Sequence, residues 1–380
     1  MKTPRDWVTR PLSQFVSLQR GFDLPTHARV PGSVPVLSSG GVNGSHNEAK
    51  VDGDNFVIGR ATNIGRPTWS SVPFWPLNTT LFVKDFLGNF PKFCFYWFLA
   101  TDLSGFDSGS VQPMLNRNYI ANIPVAIPSF VEQRRIAGVL GALDDKIESN
   151  RKQQYVGERL LRALIERILG QFSKADSTTF DAYCTYSKES VLPENVGSGD
   201  KYIALEHMPR GSIFLNSWEN AELAGIASNK NRFRQGDLLF GKLRPYFKKV
   251  GVAPVSGVCS TDILVLRPRL REFLPLITVV ASSDALIDSI SASATGTRMP
   301  RASWKDIGAW PVPRIPDETL IVLLQPANQL MTFLEALSFQ NLKLTEMRDA
   351  LLPELMSGRM RVDEAGRLVS EALDEEVADV

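Results

Sequence analysis

Residues 236–243, Gly236-Asp-Leu-Leu-Phe-Gly241-Lys242-Leu243, come close to spelling a phosphate-binding loop. Such a loop wraps phosphates with glycine-rich backbone and places a Ser or Thr on Mg²⁺ after the lysine. Here Leu243 stands in the Ser/Thr position and the intervening residues are strand-like, so nucleotide binding is set aside. Asp144-Asp145-Lys146 would suit a nuclease, but it lies amid helical charge patterning and reads as a solvated face. His27, His46 and His207 have no His or Cys at ligand spacing and read as loop or surface residues, so no metal is expected. No Gly-rich cofactor loop follows a first strand, and no Asn-Pro-Pro-aromatic or Asp-Pro-Pro-aromatic motif of methyl transfer is present. No nucleophile stands beside a base. The chemistry left is binding, with no catalytic residue and no cofactor in this chain.

The binding residues are cationic. Lys230, Arg232, Arg234, Lys242, Arg244, Lys248 and Lys249 fall within twenty residues, opposed only by Asp237 and interleaved with Phe233, Tyr246 and Phe247. Lys and Arg contact phosphates, and Arg also addresses guanine edges in bidentate fashion, so these residues are read as DNA contacts. The alternative is a solvated basic face around a packed strand. Arg60, Thr62, Asn63 and Arg66 are the matching candidates nearer the N-terminus. Two turns add to them: Gly109-Ser110-Val-Gln112 and Gly296-Thr297-Arg298. Gly permits close backbone approach there, while Ser110, Gln112, Thr297 and Arg298 suit base edges; the alternative is a plain structural turn.

Those turns belong to a duplication. Gly109-Ser110, Pro113, Ile120 and Pro124-Val125 recur as Gly296-Thr297, Pro300, Ile307 and Pro311-Val312, 187 residues on. Glu158-Arg-Leu160-Leu161-Arg-Ala-Leu164-Ile165 recurs as Asp349-Ala-Leu351-Leu352-Pro-Glu-Leu355-Met356, 191 residues on. The plan is a globule and a long helix, twice. The globules are expected at 1–130 and 176–315, the helices at 131–175 and 316–362, and a solvated, flexible acidic tail at 363–380.

Asn55–Gly59, Thr79–Lys84, Asp237–Phe240 and Asp262–Leu266 read as strands, Phe93–Ala100 as a buried helix or strand, and Leu276–Ile290 as one helix. A weaker echo joins the globules: Val57-Ile-Gly59-Arg60 resembles Leu239-Phe-Gly241-Lys242. In both, a strand ends in Gly followed by a base. Ile136, Leu140, Leu143 and Ile147, then Leu161, Leu164 and Ile168, keep a heptad seam over a helix of about 60 Å. Leu330, Leu334, Leu337, Leu344 and Leu351 do the same in the second helix, with Pro353 and Gly358 marking its end. Each seam is broken by an asparagine, Asn150 and Asn341, again 191 residues apart. We read the helices as pairing antiparallel with a buried Asn fixing the register. The alternative is a solvated position near a fraying point.

The totals fit a polyanion binder. Of 380 residues, 43% are apolar and 22% charged, and net charge is +1. That sum hides +3 over 1–130, +3 over 131–175, +3 over 176–315 and −8 over 316–380. Cys94, Cys184 and Cys259 form no metal or disulfide framework, so a reducing cytoplasm is expected. Met1-Lys-Thr-Pro-Arg-Asp is unlike a signal peptide, and the longest apolar run, Phe273–Ala281, is too short for a bilayer.

The chain resembles the specificity subunit (HsdS) of type I restriction-modification systems over about residues 1–362. The resemblance rests on Pro124-Val-Ala-Ile-Pro128 leading to Glu132-Gln133-Arg134-Arg135-Ile136, on Leu143-Asp144-Asp145-Lys146-Ile147 with Asn150-Arg151, and on Leu351-Leu-Pro-Glu-Leu-Met-Ser-Gly358. The second copy departs from it: Ile315-Pro316-Asp317-Glu318 leads to Leu320-Ile321 without a Glu-Gln pair, and Pro326 points to a later helix start. The resemblance implies a mixed α/β fold with two target recognition domains, each reading half of a bipartite double-stranded DNA target. It also implies two helices forming an antiparallel coiled coil that spaces them. Two methyltransferase subunits would dock on the conserved regions and a translocating restriction subunit would join. S-adenosylmethionine would be bound by the methyltransferase partners for adenine methylation. Two other classes of function stay in view: a fused enzyme with its own methyltransferase or nuclease activity, disfavoured by the missing motifs, and a DNA-free helical scaffold, disfavoured by the basic cluster.

Overall fold

A computed structural model of the chain describes residues 6–106, 114–174, 176–215, 217–293 and 300–378. Its helices are α1 (Pro91–Ala100), α2 (Arg117–Ile120), α3 (Phe130–Gln171), α4 (Leu274–Ala281), α5 (Asp284–Ser293), α6 (Trp304–Gly308), α7 (Asp317–Met356) and α8 (Val362–Ala378). The fold is mixed α/β. It divides into two compact units, one of residues 1–146 with 345–380, the other of residues 147–344. Both boundaries fall inside the long helices α3 and α7.

In the first unit a short ribbon pairs Val8–Pro11 antiparallel with Pro124–Ile127, closing the globule just before α3 begins. A four-stranded sheet follows, in the order Ser17–Arg20, Thr80–Asp85, Asn55–Gly59, Pro67–Ser70. A three-stranded sheet sets Val34–Ser38 between Gly41–His46 and Trp75–Pro76. Helix α1 starts on Pro91, a residue that suits a first helical turn, and buries Phe93 through Phe98 without a break. A helix apolar all round belongs in a core. Its Phe93 and Phe98 meet Phe15 and Phe56 ring to ring at 6.1 and 5.6 Å.

The second unit repeats this plan. Ser177–Thr179 pairs antiparallel with Pro311–Pro313 just before α7. The four-stranded sheet runs Cys184–Ser187, Ile263–Pro268, Leu238–Gly241, Val250–Val252, the same order of first, last, middle and following strand. The duplication therefore extends through the sheet, where sequence identity has almost gone. A five-stranded sheet built around Lys230–Phe233 and Gly257–Cys259 is the main elaboration. The single helix expected over Leu276–Ile290 is two, α4 and α5. Ser283 Oγ accepts from the Leu286 backbone N–H at 3.3 Å, so Ser282-Ser283-Asp284 starts a new helix instead of continuing the old one.

The long helices meet in each unit. In the first, Arg348 of α7 donates to Asp144 of α3 at 3.0 Å, and Tyr96 of α1 donates to the same carboxylate at 2.6 Å. In the second, Asn150 Nδ2 donates to Asn341 Oδ1 at 3.0 Å and also to Gln340, and Gln154 reaches Leu334 and Ser338. Partners descend along α7 as positions rise along α3, so the helices run in opposite directions. Gly157 lets them close: a Cβ there would lie 2.5 Å from Leu334. Leu320, Leu324, Ala327, Met331, Leu334 and Leu337 of α7 join Leu161, Ile165 and Ile168 of α3 in one buried cluster with the second globule's core.

Three expectations change here. Helix α7 begins at Asp317 and runs through Pro326, because its N-terminal apolar positions are anchored in that core. Pro353 sits in its last turn, and Gly358, at φ +69°, marks the exit. Residues 363–378, expected as a solvated tail, form α8, which buries Val362, Ala365 and Val369. Finally, α7 is long and apolar enough to cross a bilayer, unlike the short run singled out from sequence, but it lays its apolar seam against the core just described.

Candidate nucleic-acid interface

An equivalent inner strand of each four-stranded sheet ends in a closely surrounded glycine. At Gly59 a Cβ would lie 2.2 Å from the Asn63 carbonyl oxygen, and at Gly241 it would meet Leu205 at 2.9 Å and Lys249 at 3.1 Å. A base follows in both. The Arg60 carbonyl accepts from Leu115 N–H at 2.8 Å, and the Lys242 carbonyl from Ala302 N–H at 2.9 Å. Leu115 and Ala302 lie just after the two recurrent turns. The fold thus ties the strand-end base, in each globule, to a described residue that follows the recurrent turn in sequence. Ser110, Gln112, Thr297 and Arg298 themselves lie outside the described residues.

In the first globule Arg60, Thr62, Asn63 and Arg66 share one tight loop. Gly59 N–H donates to the Arg66 carbonyl and Gly65 N–H to the Gly59 carbonyl, both at 2.9 Å. Thr62 and Arg66 are exposed. Asn63 has structural work: it adopts φ +49°, and its side chain donates to the Ser39 carbonyl at 3.1 Å. Arg60 lines an open cleft of about 820 Å³ with Arg20, Lys84, Arg117, Gln19 and Asn116, none of which the sequence reading picked out. Burial, with repulsion from Arg20, pushes the Arg60 guanidinium below its ordinary range.

The basic run of the second globule divides. Lys230 is only 7% exposed and donates to the backbone and side chain of Ser228 at 2.9 Å. Arg232 makes a two-pronged contact to Asp200 at 3.2 and 3.3 Å. Lys242 donates to the Thr261 carbonyl at 2.6 Å, Lys249 to the Leu205 carbonyl, and Lys248 to Asp284 at 2.6 Å. Burial lowers the affinity of Lys242 and Lys249 for their protons. These five cations hold the globule together.

Arg234 and Arg244 face outward more freely. Arg234 lies 3.9 Å from Glu189 and is mostly exposed. Arg244 and Lys248 adopt φ +51° and +50° on either side of the turn Pro245–Phe247. Left-handed backbone at two non-glycine residues is strained, and here it displays Tyr246, half exposed. Arg210, which the sequence reading missed, stacks on Phe247 at 3.9 Å, with Arg244 at 6.0 Å from the same ring. An aromatic pair flanked by arginines suits bases or phosphates.

The histidines are not all superficial. His46 is buried, accepts from Val30 N–H at 3.0 Å and packs edge-on to Trp75; His207 accepts from Ala204 N–H at 2.9 Å. Among the described residues no cluster of three His, Cys, Asp or Glu is placed to hold a metal.

Residues 4–155 match the family model of the type I restriction modification DNA specificity domain. Over those residues the chain is similar to that specificity domain. The specificity subunit of the type I restriction enzyme EcoDI from Escherichia coli is 21% identical over 389 residues, covering 89% of this chain and 84% of that protein. The MjaIX specificity subunit from Methanocaldococcus jannaschii is 23% identical over 330 residues, covering 76% and 74%. The fold is that of the type I system S subunit from M. genitalium, which superimposes with a TM-score of 0.59 at 16% identity over 93% of this chain and 98% of that one.

The family match spans the first globule and the start of α3, where the Glu-Gln motif has a visible task. Gln133 is 2% exposed; its Oε1 accepts from Phe90 N–H at 2.8 Å, and its Nε2 donates to Asn89 at 2.9 Å and to the Pro128 carbonyl at 3.1 Å. It pins the start of α1 to the start of α3. Leu320, buried, stands 187 positions later, so the second copy makes this junction apolar.

Proposed function

We propose that this chain gives a type I restriction-modification complex its DNA sequence specificity, with each globule binding one half of a bipartite target. The observation that carries this reading is the doubled cationic strand end, tied in both globules to the chain leaving the recurrent turn, in surroundings that have diverged. A common frame with different surfaces is what two different half-sites require. Each half-site adds discrimination of about 1–3 kcal/mol per base pair.

The antiparallel helices act as a coiled coil that fixes which half-site spacing can be met, since a wrong spacing rotates one half-site around the duplex. Asn150 and Asn341, 191 positions apart, set its register. Two methyltransferase subunits dock on the helical regions, and exposed Tyr155, Val156 and Leu160 on α3 support a partner there. A translocating restriction subunit joins them. The chain itself recognises and does not catalyse; S-adenosylmethionine belongs to the methyltransferase partners. Electrophoretic mobility shift of the chain with its methyltransferase, from 50 to 200 mM salt, tests DNA binding. Affinity falling by orders of magnitude is expected; salt-independent or absent binding would remove the reading.

A further inference from the structure

The cleft of the first globule gathers four cations on a sheet whose strand order the second globule shares. Its cations come from four separated places in the sequence: Arg20 ends its strand, Lys84 is fifth in the strand Thr80–Asp85, Arg60 follows the inner strand Asn55–Gly59, and Arg117 opens α2. By strand register the corresponding positions of the second globule are Lys188 just past its strand, Arg267 fifth in the strand Ile263–Pro268, Lys242 after the equivalent inner strand, and Trp304 opening α6. Arg267 is neutralised by buried Asp237, donating at 2.9 and 2.8 Å. In the first globule none of the four cations has an ion-pair partner among the described residues. Arg117 and Arg60 use one nitrogen each on the carbonyls of Leu18 and Asn78, at 3.1 and 3.4 Å. Asp23, the one carboxylate lining the cleft, accepts from Asn78. Gathering like charges without counter-charges is unfavourable, and a bound polyanion offsets it.

Resting on the specificity reading, we propose that Arg20, Arg60, Lys84 and Arg117 form a phosphodiester-backbone seat in the first globule, which positions its half-site without reading bases. At about 820 Å³ the cleft is far larger than a single phosphate ion. Phosphate contacts add affinity and salt dependence without sequence information.

The test uses the full chain in complex with its methyltransferase. The double variant Arg20→Gln, Lys84→Gln alters exposed side chains only. Loss of two phosphate contacts lowers the slope of log affinity against log salt by about 1.8, roughly a 60-fold weakening at 0.1 M salt. The methylated sequence stays the same. Arg20→Lys keeps the charge and should bind like the parent, which a bidentate base contact would not allow. An unchanged slope in the double variant overturns the proposal, as does a methylated sequence altered at any position. A parent complex without salt-dependent DNA binding would instead overturn the specificity reading beneath it.

Discussion

Replacing Asn150 and Asn341 singly and together should change stability in opposite directions. Asn150 is fully buried, and its Oδ1 has no hydrogen-bond partner among the described residues. Its Nδ2 serves Asn341 and Gln340. A buried unpaired carbonyl costs about 1–3 kcal/mol, so the helix pair already carries that burden. Asn341→Leu alone leaves that carbonyl in place and takes one acceptor from the amide, a further loss of about 1–2 kcal/mol. Asn150→Leu with Asn341→Leu removes both side-chain amides from the layer, and stability should exceed the parent by about 1–3 kcal/mol. Urea titration followed by circular dichroism reads the order: single below parent, parent below double. The gain should come with looser register. A slip of one heptad moves one helix about 10 Å past the other, close to three base pairs of DNA. Methylated sites made by the double variant should therefore include a second spacing class offset by about three base pairs. A double variant less stable than the single, or one that keeps a single spacing, would refute this account of the seam.

The other predictions concern neighbouring parts of the same frame. Gly157→Leu should cost about 1–3 kcal/mol by urea titration, because the helices touch at that position, whereas Gly157→Ala should be nearly neutral, its clash falling on the movable end of Leu334. Gln133→Leu removes the acceptor of the part-buried Phe90 N–H and should lower the melting midpoint of the first unit by an amount equivalent to about 1–2 kcal/mol. Burial pushes the Cys184 and Cys259 thiols up from 9 to about 12, so Ellman's reagent at pH 8 should leave the folded chain unlabelled and react with three thiols after denaturation. The folded state holds those protons more tightly than the unfolded one. Their contribution to stability is thus complete below pH 9 and fades as pH rises toward 12, which urea midpoints at pH 8 and 10.5 should register.

Much of the frame was legible because it depends on local pattern. Heptad spacing located α3 and α7, and the shared offset of Asn150 and Asn341 pointed to two residues that meet in the structure. The Gly59-Arg60 and Gly241-Lys242 echo marked equivalent strand ends. What escaped depends on distance or on short polar signals. Arg20, Lys84 and Arg117 become one cleft only after the sheet brings three chain segments together, so no window of sequence contains it. The run from Lys230 to Lys249 looked like one basic face, yet Arg232, Lys242, Lys248 and Lys249 point to acceptors supplied by other segments and Lys230 to Ser228 beside it. The Ser283 cap that splits α4 from α5 was hidden within an apolar run. Helix α8 was masked by its charge, because among the described residues its buried apolar positions are Val362, Ala365 and Val369.

The central claim is that two diverged globules on a common frame read two halves of one target. Exchanging residues 1–130 for the corresponding globule of another specificity subunit, and mapping methylated adenines genome-wide beside the parent complex, tests it most directly. The account predicts a gapped bipartite motif in the parent, and in the exchange a motif with one half replaced and the other half unchanged. A continuous palindrome in the parent, or an exchange that alters both halves, would contradict it.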